Sequence, residues 1–313
     1  MSIQSEQPYL FEESSPAGVW ERDATRRALD ELFSLARQYK SSREYFDLLR
    51  FIGRFRFYSP FNAMLIHTQM EGARFVAPPH RWLRDYRRRI KTGARPLVIL
   101  QPMGPVMFVF DVSDTEPEEG APPLPVRVEQ PFEVLHGHIR GELASTMENA
   151  KRDGIDIIEK EAGSQSAGSI RIAHVQSSKK FYVLSKSKPE PEYVAVPVRY
   201  EMLLNAKHSP EAKYATLAHE LAHLYCGHLG TPNEKWWPDR RGLLGEVCEF
   251  EAESVSYLLC RRLGIGNPSA NYLAGYLRAN KETPPISLDC VLKASGLIEQ
   301  MGRERLRPRK EEK

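Results

Sequence analysis

Apolar residues recur at helical spacing over several stretches of the chain, and these stretches predict most of its elements. Before residue 80 the spacing predicts helices over 18–40, 42–56 and 60–70, the last two broken at Ser59-Pro60. After residue 130 it predicts helices at about 131–151, 209–229, 241–263, 268–280 and 286–301. The C-terminal third of the chain is therefore expected to be helical.

Short apolar runs bounded by turn residues predict strands in both halves of the chain. The runs 97–100 and 106–110 are separated by Pro and Gly residues, which favours a pair of strands. Further β-like runs at 155–158, 169–175 and 181–184 precede the C-terminal helices. The order of elements predicts an α+β protein, with a small α+β domain in front and a second domain with strands first and helices last.

A stretch rich in Pro and acidic residues, 111–131, divides these two groups of elements and is typical of a linker. At 313 residues the chain is long enough for two domains. The predicted organisation is a flexible N-terminus over 1–17, a front domain over 18–112, a linker over 113–130, a second domain over 131–302 and a charged tail over 303–313.

Charge is spread unevenly between these parts. The net charge is only +3, yet residues 41–96 contain twelve Lys and Arg against four Asp and Glu. The front domain is therefore basic, which favours a polyanionic partner.

The sequence has no run of eighteen apolar residues, and its start lacks the basic and apolar regions of a signal peptide. We therefore expect a cytoplasmic protein with no membrane partner. The four cysteines include no CxxC pair and lie in apolar helical contexts, so they are expected to be reduced core thiols rather than ligands of a structural zinc ribbon.

Residues 215–228 are ATLAHELAHLYCGH, and they contain the pattern His-Glu-x-x-His. A helix places His219 and His223 on one face, where two imidazoles can bind one zinc ion. Glu220 lies about 100° further round the helix, where it can reach a metal-bound water without being a ligand. Apolar neighbours make this helix a buried one, in which unpaired histidines are costly. The alternative is a pair of core histidines that form hydrogen bonds and bind no metal.

A catalytic zinc needs a third protein ligand, and the helix predicted over 241–263 carries four acids: Glu246, Glu249, Glu251 and Glu253. Glu249 is favoured as the ligand, with Glu253, four residues on, as the acceptor that holds one histidine N–H. Small residues continue that face and allow close packing against the histidine helix: Ala252, Ser256 and Cys260. Glu251 remains the main alternative ligand, on a possible core face.

The two patterns together resemble the ImmA/IrrE group of zinc metallopeptidases, and they are similar to the peptidase half of ArdC-type antirestriction proteins. The resemblance implies a zincin-like domain in which His219, His223 and Glu249 bind Zn²⁺ and Glu220 is the catalytic base. Val255 and Ser256 depart from the Phe-Ala pair that the group commonly has, which leaves the subfamily open.

The front domain resembles the single-stranded-DNA-binding domain of ArdC in its order of a Tyr, an Asn-x-x-Leu pattern, a Trp, a basic Gly-containing turn and two strands. Interleaved cations and aromatic rings also suit unpaired bases and their phosphates. The predicted DNA contacts are Arg54, Arg56, Tyr58, Asn62, Arg81, Trp82, Arg87, Arg88, Arg89, Lys91 and Arg95. The alternative is that the rings belong to the core and the arginines to an ordinary surface.

Two functions remain open at this point. One is a zinc-dependent endopeptidase coupled to single-stranded DNA binding, which acts on a regulatory or DNA-associated protein. The other is a single-stranded-DNA-binding antirestriction or DNA-protection factor whose zinc site is structural or regulatory. The Glu of the His-Glu-x-x-His pattern favours the first, because a structural site gains nothing from a base.

Overall fold

The computed structural model describes residues 41–101, 104–125, 128, 137–161, 167–174, 177–183, 192–266 and 268–309. These residues form α-helices and several small sheets, which confirms the predicted α+β class. The helix predicted over 18–40 and the N-terminus over 1–17 lie outside the described residues. The boundaries of the predicted domains stay predictions.

Eight α-helices lie in the described part of the chain. They are α1 (Ser42–Arg54), α2 (Pro60–Gln69), α3 (Pro79–Tyr86), α4 (Glu142–Arg152), α5 (Pro210–Tyr225), α6 (Gly245–Leu263), α7 (Ser269–Ala279) and α8 (Leu288–Arg303). All but α3 lie where helical spacing predicts a helix, although α4 begins well after residue 131. The short α3 starts at a proline and buries Trp82 and Tyr86, one turn apart.

The described residues also form ten strands. They are β1 (Val76–Ala77), β2 (Arg88–Ile90), β3 (Leu97–Gln101), β4 (Gly104–Asp111), β5 (Thr115–Pro117), β6 (Ile155–Lys160), β7 (Gly168–Ile172), β8 (Ser178–Val183), β9 (Glu192–Pro197) and β10 (Tyr200–Asn205). The predicted pairing of β3 with β4 is antiparallel, with Leu97 opposite Val109. β1 joins the other edge of β4, and β2 pairs with β5.

The sheet behind the helices has the order β6-β10-β7, with β10 parallel to β6 and antiparallel to β7. Sequence analysis missed the central strand β10, although Tyr200, Met202 and Leu204 alternate toward the core. It also missed β9, which pairs with β8 in a separate hairpin.

One continuous hydrophobic core joins the front helices to the C-terminal ones. α1 packs on α6, where the rings of Tyr45 and Phe250 lie 5.5 Å apart and those of Phe46 and Tyr257 lie 5.6 Å apart. A smaller core beneath α3 holds the indole of Trp82. The front helices therefore share their core with the second half of the chain.

The four cysteines are free and three of them are buried, as expected for core thiols. Within the described residues, no helix combines the length and the apolar character needed to cross a bilayer.

Candidate metal centre

Local sequence signals fix both ends of the histidine helix, α5. At its start the Ser209 hydroxyl accepts a hydrogen bond from the backbone N–H of Ala212 at 3.3 Å, and Pro210 occupies the first turn. At its end Gly227 has a φ of 84°, and a Cβ there would lie 2.2 Å from the carbonyl oxygen of Pro238. Glycine is therefore required at the point where the chain leaves the helix.

The glycine turn also folds the chain back onto α5. The backbone N–H of His228 donates to the carbonyl of His223 at 2.9 Å, and that of Gly227 donates to Leu224 at 2.9 Å. This pair of bonds is typical of helices that end at a left-handed glycine. This turn places the ring centroid of His228 5.1 Å from that of His223.

Three side chains converge where the sequence predicts the metal. The Nε2 atoms of His219 and His223 lie 3.1 Å apart. The Glu249 carboxylate approaches both, with Oε2 3.4 Å from His219 Nε2 and Oε1 3.6 Å from His223 Nε2. All three therefore direct a possible ligand atom at one point.

Close packing of α5 on α6 brings these groups together. Ala252 and Cys260 on α6 are fully buried, and between them the Ser256 hydroxyl donates to the carbonyl of Ala215 on α5 at 3.0 Å. Such a contact needs small side chains on that face. The predicted series of small residues is thus what sets the position of Glu249.

Glu253 lies on the other side of His219. Its Oε1 is 3.7 Å from the Nδ1 of His219, which is the nitrogen that faces away from the centre. The orientation is the one predicted, but the separation is longer than a hydrogen bond.

Burial and neighbouring charges shift the protonation equilibria of the centre. Burial raises the pKa of Glu220, and the nearby His219 and a hydrogen bond from the Ile170 backbone only partly oppose it. Burial and the charge of His219 lower the pKa of His223. A hydrogen bond from His219 lowers the pKa of Glu249. The surroundings therefore shift the pKa values of Glu220 and Glu249 in opposite directions.

Glu251 lies in a different cluster, on the far side of His223. Its carboxylate is completely buried and receives two hydrogen bonds from Arg240, at 2.7 and 2.8 Å. Burial alone raises the pKa of Glu251, but bonds from His228, Arg240 and the Ser287 backbone hold it below its ordinary value. Glu251 therefore lies on the core face of α6, as the alternative interpretation held, and its carboxylate is directed away from His219.

Sequence analysis missed the partners of Glu251. The sequence alone does not predict that His228 and Arg240 contact Glu251. Cys226, His228 and Glu251 also form a second group of close donor atoms. The spacing of these residues along the sequence does not indicate that they are neighbours, because the turn after α5 and the loop before α6 bring them together.

The fold uses three of the predicted DNA contacts for its own packing. Trp82 is 0% exposed and its Nε1 donates to the carbonyl of Phe110 at 2.9 Å, so its ring offers no face to a base. The stacking role predicted for Trp82 is corrected accordingly. The Tyr58 hydroxyl donates to Val76, and Asn62 bonds both backbone groups of Leu100.

Other predicted contacts lie at the surface or are partly tied to the fold. Arg81, Arg87, Arg89, Lys91 and Arg95 are exposed, whereas Arg54, Arg56 and Arg88 are partly buried. Arg88 is held by Thr115, at 2.7 Å from its hydroxyl. Phe55 is in the core, and Phe57 is 70% exposed. Phe57 is therefore an aromatic face that is open to solvent in this region.

The fold and the centre define an α+β protein with a His-Glu-x-x-His helix packed against an acidic helix. Residues 150–260 match the Peptidase M78 family model, described as the IrrE N-terminal-like domain. This part of the chain is therefore similar to that metallopeptidase family, which confirms the resemblance to ImmA/IrrE proteins over these residues.

Among solved structures, the chain is similar to the antirestriction protein ArdC from the R388 plasmid in a metal-free crystal form. The similarity covers 77% of this chain and 81% of that chain, with 17% identity and a TM-score of 0.31. So low a score does not establish a shared fold. No curated protein sequence matches the chain.

Proposed function

We propose that this protein is a zinc-dependent endopeptidase that also binds single-stranded DNA and acts on a regulatory or DNA-associated protein. The observation that carries the proposal is the convergence of two histidine Nε2 atoms and the Glu249 carboxylate beside Glu220. The family match over residues 150–260 supports the same class of enzyme.

The donor set fits zinc in both type and spacing. Imidazole nitrogens and one carboxylate form one of the ligand sets of catalytic zinc sites, with the remaining position open. Ligand atoms about 2.0–2.1 Å from one tetrahedral ion are about 3.3 Å from one another. The two histidine Nε2 atoms lie 3.1 Å apart, and one Glu249 oxygen lies 3.4 Å from His219 while the other lies 3.6 Å from His223, all close to that value. His219, His223 and Glu249 are thus the residues that would hold the ion.

When bound, zinc would activate a water and polarise a peptide carbonyl. Glu220 would accept the proton of that water and return it to the leaving amine. Its raised pKa suits this exchange, because a general base works best when its pKa lies near the working pH.

The neighbouring strand offers a place for an extended peptide. Among the described residues β7 pairs only with β10, and the Ile170 backbone on β7 lies within hydrogen-bond reach of Glu220. A peptide can add to such an edge through main-chain hydrogen bonds. This supports a polypeptide as the substrate.

Binding of single-stranded DNA is supported by the basic surface of the front domain. Four cations are exposed there: Arg87, Arg89, Lys91 and Arg95. The ring of Phe57 is exposed to solvent elsewhere in the same domain. Cations for phosphates and a ring for bases are the two components of single-strand binding.

The peptidase proposal is tested with the zinc-loaded full chain and its Glu220→Gln variant. Both are incubated with repressors and DNA-associated proteins, with and without a single-stranded oligonucleotide, and cleavage is followed by mass spectrometry. We expect cleavage by the unaltered chain and a rate at least about 10²-fold lower in the variant, with zinc content unchanged. Glu246→Gln, at an exposed acid on α6, is the control and should cleave normally. Equal cleavage by Glu220→Gln would contradict the proposal.

The DNA proposal is tested in the full chain, because the front helices share the core of the second half. Arg89→Glu together with Arg95→Glu should weaken single-strand binding for all sequences and reduce the salt slope, by about 0.7 per lost phosphate contact. The control is Lys293→Glu on α8, an exposed residue outside the basic surface. Equal affinity for duplex and single strand, measured by fluorescence anisotropy, would contradict this part.

A further inference from the structure

His228 lies between a predicted metal ligand and a buried carboxylate. Its Nδ1 is 3.0 Å from the Nδ1 of His223, and its Nε2 is 2.9 Å from Oε2 of Glu251. The His228 side chain is nearly buried, so water does not readily replace either partner. Each ring nitrogen of His228 therefore has a protein group as its hydrogen-bond partner.

The Glu251 carboxylate fixes a proton on Nε2 of His228. Oε1 accepts from Arg240 Nη2 at 2.8 Å and from the Ser287 backbone at 2.6 Å, while Oε2 accepts from Arg240 Nη1 at 2.7 Å. An ionised carboxylate has no proton to donate. The contact at 2.9 Å is thus a hydrogen bond in which His228 Nε2 is the donor.

The Nδ1 atom of His228 then determines which nitrogen of His223 carries the proton. A neutral imidazole with a proton on Nε2 has an acceptor at Nδ1. The contact of 3.0 Å therefore requires that His223 donate through its own Nδ1–H. In that tautomer His223 Nε2 carries a lone pair, and Nε2 is the atom that faces His219 and Glu249.

We propose that His228 is a positioning residue for the metal centre. Glu251 and Arg240 hold it as the Nε2–H tautomer, it accepts the Nδ1–H of His223, and it thereby presents His223 Nε2 as a metal donor. The inference rests on the proposed metal function of His223. Metal-binding histidines need such a partner because it fixes both the orientation and the tautomer of the ring.

The same atoms do not favour a second metal site. Cys226, His228 and Glu251 are close enough to share an ion, but four donors already occupy the oxygens of Glu251. A carboxylate has about four lone-pair sites, so none is left for a cation.

The test is a pair of variants of similar size, His228→Asn and His228→Leu, in the full chain. Asn places an oxygen close to the position of Nδ1 and can still accept from His223, whereas Leu cannot. Both lose the bond to Glu251 equally, so the difference between them reports on the acceptor alone. Zinc affinity is measured by competition with a chromophoric chelator, and thermal unfolding of the zinc-free chains checks the fold.

We expect His228→Leu to bind zinc about 10- to 100-fold more weakly than the unaltered chain. His228→Asn should stay within about threefold, since it restores the acceptor that second-shell residues provide. Equal weakening in both variants, or none in His228→Leu, would overturn the proposal. So would loss of zinc in Cys226→Ser, because the ion would then occupy the second group.

A second measurement uses the unaltered chain without zinc, so it does not depend on the folding of a variant. Long-range ¹H–¹⁵N spectra of ¹⁵N-histidine-labelled, zinc-free chain distinguish the two neutral tautomers of each ring. His223 should carry its proton on Nδ1 and His228 on Nε2. A proton on Nε2 of His223 would overturn the inference. A chain with the expected tautomers that binds no zinc would contradict the proposed function and leave this hydrogen-bond chain intact.

Discussion

At the residue scale, two glutamates on one helix have opposite surroundings. Glu249 is half-exposed and faces two histidines, whereas Glu251 is buried against Arg240 and His228. The first can be removed without leaving a buried charge unpaired. Removal of the second leaves Arg240 without its carboxylate. The two positions should therefore respond differently to truncation.

We predict that Glu249→Ala lowers zinc affinity strongly and leaves the stability of the zinc-free chain almost unchanged. Glu251→Ala should instead lower the free energy of unfolding of that chain by roughly 3 kcal/mol, because one partner of a buried pair is lost. Chelator competition and urea unfolding measure the two effects. If Glu251→Ala retains full stability and alone strips the metal, the assignment of the ligand is wrong.

The sequence predicts the groups of the centre that lie on one helix face and not those that meet across loops. His219, His223, Glu249 and Glu253 follow from helical spacing, because local geometry determines which of their side chains are neighbours. The pairing of His228 with Glu251 depends on the turn at Gly227, which spacing does not encode. Trp82 was misassigned because an indole suits a core as well as a stacked base, and only tertiary packing decides between them.

At the scale of elements, the packing of α5 on α6 decides whether the ligands converge. The contact face of α6 is built from small side chains, among which Ala252 is completely buried one turn from Glu249. A larger side chain there has no space unless the helices separate. Separation would move Glu249 away from His219 and His223.

We predict that Ala252→Leu costs about 1–3 kcal/mol of stability and lowers zinc affinity as well. Ala252→Gly is the control, since it keeps the helices close and costs about 1 kcal/mol through helix propensity alone. Differential scanning calorimetry and chelator competition follow the two quantities. Zinc affinity that is unchanged in Ala252→Leu would show that interhelical distance does not control the centre.

At the scale of the whole molecule, a buried arginine ties the front helices to the second half. Arg262 on α6 donates to the carbonyls of Ile52, Phe55 and Tyr58, and its Nε pairs with Glu299 on α8 at 2.9 Å. These carbonyls lie at the end of α1 and in the turn before α2, where a helix leaves acceptors unpaired. The division predicted from the linker at 113–130 therefore does not separate two independent cores.

We predict that Arg262→Met lowers the free energy of unfolding by about 3–5 kcal/mol, because Glu299 and several carbonyls lose their partner. Arg303→Met is the control, since Arg303 pairs with the same Glu299 from an exposed position and should cost less than about 1 kcal/mol. Both are measured by urea unfolding of the full chain. Two separate transitions in the unaltered chain would contradict the shared core.

The most direct test of the proposed centre is X-ray absorption at the zinc edge of the purified full chain. We predict about one zinc per chain, with nitrogen and oxygen ligands at about 2.0–2.2 Å and the outer-shell scattering of two imidazoles. Chelation should remove it, and His223→Ala should prevent its uptake. A sulfur ligand at about 2.3 Å would place the ion at Cys226 instead, and a chain without stoichiometric zinc would contradict the centre altogether.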